Sequence, residues 1–259
     1  DLLARLVAQM VADMEQDTGK KLDSAAAYKL WLEAAKTKDG QFRPDYHQVI
    51  SPYIHEEFGT EALNLRLQKE ARGESIKRVG AISGITLFDK VIQIRNRGAS
   101  DPLRGWNHET KANEACEVFN GELGYVLPHG FDGSKWKWSG FRMKRFSVSF
   151  SRKENIAVGY GRELGKYSVN GRERWIKEEK PEDNLELAYA ISVHKSQGSE
   201  FERVYFIVPK QKTALLSPEL FYTGITRASR HCTLLIEQDI SPLLKIRRPE
   251  SSHLAACRT

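Results

Sequence analysis

The densest set of reactive side chains in this 259-residue sequence sits between two apolar runs. In ISVHKSQGSEFERVYFIVP (191–209), the run AYAISV leads in and VYFIVP leads out, with His194, Lys195, Ser196, Gln197, Gly198, Ser199 and Glu200 between them. His194, Lys195, Ser196 and Gln197 offer hydrogen bonds from a short segment. Gly198 lets the main chain approach a ligand closely or take a positive φ. Glu200 suits a hydroxyl, such as that of a ribose. The plain alternative is a surface turn that is merely polar.

A second set lies in LFYTGITRASR (220–230), which carries Thr223, Arg227 and Arg230. A helix is predicted over 217–229: Ser217 is a good N-cap, Pro218 suits the first helical position, and Glu219 complements the positive helix end. On that helix Thr223 and Arg227 are four apart and share a face. An arginine reaching across a cleft can neutralise charge on a phosphoryl group in transfer. Its alternative is an ordinary salt-bridged surface arginine.

Both sets need elements to place them. LELAYAISV (185–193) and RVYFIVP (203–209) predict buried strands, and HCTLLIE (231–237) a third strand. Strand, loop, strand, helix and strand in that order predict part of a parallel sheet with helices. Ligands of such sheets bind beyond the carboxyl ends of the strands, where the 194–200 loop is expected. Upstream, the apolar spacing of Leu2, Leu3, Leu6, Val7, Met10, Val11 and Met14 predicts a helix over 2–16. A second helix is expected from Asp23 or Ser24 to about Ala35, a strand over 46–53, and a helix over 59–71. The texture then changes. ITLFDKVIQIRN (85–96), two runs around Asn120-Gly121, RFSVSF (145–150) and NIAVGY (155–160) predict strands. Residues 82–183 therefore read as an all-β insert.

Composition sets limits. No apolar run approaches the roughly 20 residues that span a bilayer, so no membrane partner is expected. Cys116, Cys232 and Cys257 are far apart and make no CxxC spacing. They predict free thiols in a reducing, cytoplasmic compartment and no metal site. The formal net charge is +6, but residues 134–180 alone hold 13 Lys/Arg against 5 Asp/Glu. That segment also carries Trp136, Trp138, Phe141, Phe146, Phe150, Tyr160, Tyr167 and Trp175. Cations interleaved with aromatics can bind phosphates and stack on bases. Equally, the aromatics can be the core of a small β-barrel with solvated cations around it.

AYAISVHKSQGSEF and LFYTGITRAS, in this order and spacing, resemble motifs V and VI of superfamily 1 helicases, most closely the 1B branch of RecD-like and TraA-like enzymes. QVISPYIHEEFGTEALNLRLQ (48–68) resembles the strand and helix that open the second RecA-like domain. DKVIQIRN with VFNGELGYV (89–96, 118–126) resembles the start of an SH3-like β-barrel inserted in that domain. The resemblance covers most of 46–237. It implies an α/β fold: a RecA-like parallel sheet with helices (domain 2A) carrying an inserted SH3-like barrel (domain 2B). The implied division is 1–81 for a helical lead-in and the first part of 2A, 82–183 for 2B, 184–245 for the rest of 2A, and 246–259 for a tail.

The resemblance also implies roles. His194, Lys195 and Gln197 would lie near single-stranded DNA, Gly198 and Glu200 near the nucleotide, and Arg227 would be the arginine finger. The implied cofactor is ATP with Mg2+. A P-loop, whose amides and lysine hold phosphates, is missing from the 259 residues, as is an apolar strand ending in Asp-Glu. GYGRELGKYS (159–168) is only a decoy: Gly161 and Gly165 are one residue too close, and Lys166 precedes Tyr167. The nucleotide is therefore expected mainly on an N-terminal RecA-like domain in cis, and this stretch alone is expected to be inactive. The whole would be a monomeric DNA helicase, acting on single-stranded and duplex DNA and moving 5′→3′. The alternatives are a non-enzymatic nucleic-acid-binding module, an RNA helicase, or the motor half of a conjugative relaxase.

Overall fold

The computed structural model describes residues 2–19, 21, 43–129, 142–153, 155–161, 166–169, 171–175, 178–210, 216–238 and 243. The expected helix at about 23–35, Trp136, Trp138, Phe141, Cys257 and the tail 246–259 lie outside them. The described chain forms two compact units.

The first unit gathers the described parts of Asp1–Met10, His47–Leu63 and Ala190–Thr259. Its centre is a four-stranded sheet of β1 (His47–Ser51), β11 (Ala190–Ser192), β12 (Phe201–Val208) and β13 (Ala228–Ile236). The order is β11-β1-β12-β13, and every pairing is parallel. HQVIS is buried throughout, and so is VYFIV within β12. Continuous burial of this kind marks strands covered on both faces, and in VYFIV the run is apolar throughout. Edge strand β13 is exposed over most of its length.

Between β1 and helix α2 (Thr60–Val79) the chain folds tightly. The Ser51 hydroxyl donates to the Phe58 carbonyl at 2.7 Å and accepts the Tyr53 N–H at 3.2 Å. A β-carbon on Gly59 would lie 1.9 Å from the His55 carbonyl oxygen, so only glycine fits. Helix α1 (Leu2–Thr18) buries Leu2, Leu6, Met10 and Met14. Leu3, Val7 and Val11 are only half-buried, so the apolar stripe is narrower than the sequence spacing predicts.

The second unit holds Val11–Tyr46 and Asn64–Tyr189. Its described strands are β2 (Lys90–Gln93), β3 (Leu103–Asn107), β4 (Ala112–Cys116), β5 (Leu123–Pro128), β6 (Arg145–Phe150), β7 (Ile156–Gly161), β8 (Lys166–Val169), β9 (Arg172–Trp175) and β10 (Leu185–Leu187). Seven make one sheet in the order β10-β2-β5-β6-β7-β3-β4, antiparallel throughout. Its core includes Val91, Leu103, Val126, Phe146, Val148, Phe150, Val158 and Tyr160. β8 and β9 form a separate two-stranded hairpin. A single four-residue helix, α3 (Pro181–Asn184), precedes β10.

Two buried polar clusters fix this unit. Asp89 is fully buried. It accepts hydrogen bonds from the Tyr189 hydroxyl (2.8 Å), the Gln68 amide (2.6 Å) and the Thr86 N–H (2.7 Å). Burial nevertheless pushes its carboxyl up to about 6. Gln68 lies on α2 and Tyr189 ends the unit, so Asp89 ties together the two passages through which the chain enters and leaves. Asn64 adds a bond to the Leu187 carbonyl at 3.1 Å. In the other cluster, the buried Arg97 guanidinium meets Glu179 at 2.7 Å, Asp101 at 3.0 Å and Asn184 at 3.1 Å.

Three sequence expectations change in length or partner. The predicted strand 85–96 is confined to Lys90–Gln93. Helix α2 runs on to Val79, beyond residue 71. LELAYAISV is not one strand. Leu185–Leu187 pairs antiparallel with β2, and Ala190–Ser192 pairs parallel with β1. An unbroken apolar run reports burial and does not reveal a change of sheet.

Candidate functional site

The polar loop is built by two serines. Ser192 ends β11, and its hydroxyl accepts the Lys195 N–H at 3.3 Å. Ser196 is fully buried and its hydroxyl donates to the Val193 carbonyl at 2.7 Å. Main-chain bonds from Ser196 to Ser192 (3.0 Å), Gln197 to His194 (3.2 Å) and Ser199 to Ser196 (3.1 Å) complete the turn. Gly198 has φ +79°, with nothing within 4 Å of where a β-carbon would stand. Of the two uses foreseen for this glycine, the structure shows the conformational one.

With the serines holding the frame, His194, Lys195, Gln197, Gly198 and Glu200 are all exposed. Ser196 is a brace, not an outward group. The loop also travels. β11 and β12 are parallel with β1 between them, so residues 193–200 must run from the carboxyl edge of the sheet back to its amino edge. Ser192 is level with Ser51 at the end of β1, whereas Phe201 opens β12. The loop thus starts at the carboxyl edge, as the sequence predicts, but ends at the opposite edge.

Arg227 meets it there. Helix α4 (Pro218–Ile225) has its cap as predicted: Ser217 accepts the Leu220 N–H at 3.1 Å, with Pro218 in the first turn. The helix ends at Ile225, not residue 229. The Thr226 hydroxyl donates to the carbonyls of Tyr222 (2.9 Å) and Thr223 (3.1 Å). Arg227 Nε also donates to Thr223 O (3.1 Å). Side chains thereby satisfy the last helical carbonyls. The Arg227 carbonyl accepts the Phe201 N–H at 2.8 Å, which draws the chain into β13. Arg227 therefore stands on the α4–β13 junction, and its link to Thr223 is through a main-chain carbonyl, not a shared helix face.

The guanidinium is half-buried. Its Nη1 donates to the Ser199 carbonyl (3.4 Å) and its Nη2 to the Thr226 hydroxyl (3.3 Å). The oxygens of Thr223, Thr226 and Ser199 are all neutral. They orient the side chain, and among the described residues no carboxylate pairs with it, which suits an anion. Arg230 behaves otherwise. It lies on β13, not on the helix, and pairs with Glu202 at 3.3 Å. The salt-bridge alternative thus holds for Arg230.

One supporting pair carries no reactive group. A β-carbon on Gly224 would stand 2.2 Å from a Phe206 ring carbon, so this glycine lets α4 lie close on β12. Phe206 also meets Phe221 edge-to-face at 5.4 Å. A glycine in a helix interior costs about 1 kcal/mol against alanine, and that cost was the available signal of close packing.

Residues 187–235 match the UvrD-like helicase C-terminal domain. They take in the polar turn, β12, α4 and almost all of β13. Among curated relatives, an uncharacterised protein of Methanocaldococcus jannaschii is 29% identical over 73% of this chain and 14% of its own length. The RecBCD enzyme subunit RecD of Buchnera aphidicola subsp. Schizaphis graminum is 26% identical over 75% of this chain and 25% of its own. The ATP-dependent RecD2 DNA helicase of Deinococcus radiodurans is 32% identical over 71% of this chain and 19% of its own. The chain thus spans a quarter or less of the length of these relatives. The turn and the Arg227 junction both lie inside the stretch that matches the UvrD-like helicase C-terminal domain, and the chain is similar to RecD and RecD2 proteins over 71–75% of its length.

Proposed function

We propose that this chain is the second RecA-like motor domain of an ATP-dependent DNA helicase. It would couple ATP hydrolysis to 5′→3′ translocation on single-stranded DNA and to duplex unwinding. The observation that carries the reading is the bond between the guanidinium of Arg227 and the Ser199 carbonyl of the polar turn. A nucleotide phosphate that recruits Arg227 would compete with that bond and alter the loop bearing His194, Lys195 and Gln197. This gives the nucleotide a physical route to the DNA grip.

Roles follow from position. Arg227 would neutralise charge on the transferring phosphoryl group, Gly198 and Glu200 would lie near the nucleotide, and His194, Lys195 and Gln197 would contact DNA. ATP with Mg2+ would be held mainly by a P-loop on an N-terminal RecA-like domain outside these residues, so the isolated chain would not hydrolyse ATP. The antiparallel sheet of 90–187 supports reading the second unit as an inserted SH3-like barrel. The named DNA helicase relative supports DNA as the partner. Arg227→Ala in the intact protein lowers ATP turnover by about 10³-fold or more while DNA affinity is kept. A retained turnover rate would sink the assignment, and metal-dependent ATPase activity of the isolated chain would overturn the division of labour.

A further inference from the structure

The basic, aromatic segment 134–180 admits two readings from sequence, a β core or a nucleic-acid surface, and its described aromatics divide between a buried core and an exposed hairpin. Phe146, Phe150 and Tyr160 are buried in the core of the antiparallel sheet, with Phe146 and Tyr160 stacked at 5.9 Å. Trp175 is the opposite case. It ends β9, on the separate β8–β9 hairpin, and is 68% exposed.

Its neighbours are charged and oriented. Lys166 is opposite Trp175 in the hairpin register. Its ammonium lies 4.7 Å from the indole centroid and 2.9 Å from Glu173. The ring is thus held in place by a cation–π contact and an ion pair. Arg172 and Arg174 are exposed on the same strand, and among the described residues neither is ion-paired. Two apart, they project from one side of the strand, whereas Trp175 projects from the other. Gly171, at φ +74°, makes the turn that brings the strands together.

We propose that the β8–β9 hairpin is a contact for single-stranded nucleic acid that runs along the open edge of β9, with Trp175 as a stacking platform for one base and Arg172 and Arg174, on the other side of the strand, as ligands of phosphates farther along the same nucleic-acid strand. An exposed indole steadied by a lysine, next to two arginines without a carboxylate partner among the described residues, in a segment of strong positive charge, matches the sequence-tolerant recognition of single strands. An acidic protein would satisfy the arginines and leave the indole without a role. The inference rests on the reading of this chain as a nucleic-acid motor, and it adds a grip that is independent of the 194–200 turn.

The test is fluorescence anisotropy of the whole chain with labelled oligodeoxythymidine over a range of salt. Trp175→Ala is expected to weaken binding about 5- to 150-fold, the contribution of one stacked base. Trp175→Phe should restore most of it. Arg172→Glu with Arg174→Glu should flatten the slope of log affinity against log salt by about 1.4. Circular dichroism should be unchanged in all variants, because these side chains are outside the core. Wild-type affinity and salt slope in correctly folded Trp175→Ala and double-arginine variants would overturn the hairpin. Binding of an acidic peptide in place of oligodeoxythymidine would overturn it as well. The motor reading is judged separately by ATP turnover of Arg227→Ala in the intact protein, so either idea can fail alone.

Discussion

Arg97 and Arg227 are the same residue type in opposite electrostatic settings. Arg97, in the antiparallel unit, is buried against two carboxylates, Glu179 at 2.7 Å and Asp101 at 3.0 Å. Its pKa is held above the usual value, first by the hydrogen bond to Glu179. Arg227, at the edge of the parallel sheet, bonds only neutral oxygens among the described residues. One arginine is neutralised within the fold and holds it together. The other is oriented by the fold with its charge left available. An arginine therefore reads as structural or functional from its partners, not from its burial alone.

The sharpest way to break this comparison is to remove each side chain. Arg227→Ala should lower ATP turnover of the intact protein by about 10³-fold or more and barely move the unfolding midpoint. Arg97→Ala should do the reverse. It leaves Glu179 without its partner and should cost about 3–5 kcal/mol in denaturant unfolding. If Arg97→Ala left stability intact, or Arg227→Ala destabilised the chain as much, the contrast would be false.

Smaller effects sharpen it. Gly224→Ala forces a methyl against Phe206 and should cost about 1–3 kcal/mol. Gly198→Ala meets open space but keeps a positive φ, and should cost about 1–2 kcal/mol. Pairing Gly224→Ala with Phe206→Leu should recover stability, whereas no partner change should rescue Gly198→Ala. Chemical denaturation of the four proteins checks this.

A weaker, pH-dependent effect belongs to Asp89. Its folded pKa of about 6 exceeds the unfolded value near 3.9, so the folded state holds the extra proton in that interval. Its contribution is fully present below about pH 4 and is lost as pH rises to about 6. Relative to Asp89→Asn, the wild type should therefore lose stability across that window and change little above it. The difference in urea midpoint between pH 4 and 7 measures this; a pH-independent difference would contradict the buried carboxylate. Least of all, Arg230→Ala should leave the melting temperature within about 1–2 °C, since the Arg230 side chain is 68% exposed in its bridge to Glu202.

Much of the site was legible as chemistry. The exposed residues of the polar turn are those whose types and spacing single them out, because a polar run between two buried strands has to face solvent or a ligand. The α4 cap was legible for a similar reason: Ser217, Pro218 and Glu219 act through bonds a few residues away. Less legible was everything set by distant partners. The early end of α4 depends on Phe201 taking the Arg227 carbonyl, and the separate fates of Arg227 and Arg230 depend on where Ser199 and Glu202 stand. The aromatics of 145–175 look alike in sequence, yet Phe146 is in a core and Trp175 is on a surface.

The sequence by itself determined that the runs on either side of the polar turn are buried, where α4 begins, and which reactive groups share a loop. These properties arise from near-neighbour chemistry and from periodicity. Only the tertiary structure decided that LELAYAISV changes sheets at Tyr189, that the polar turn crosses from one edge of the parallel sheet to the other, and that the described partners of Arg227 are neutral oxygens. Strand partners and charge partners lie many residues apart in the chain, and no local pattern encodes which of them will meet.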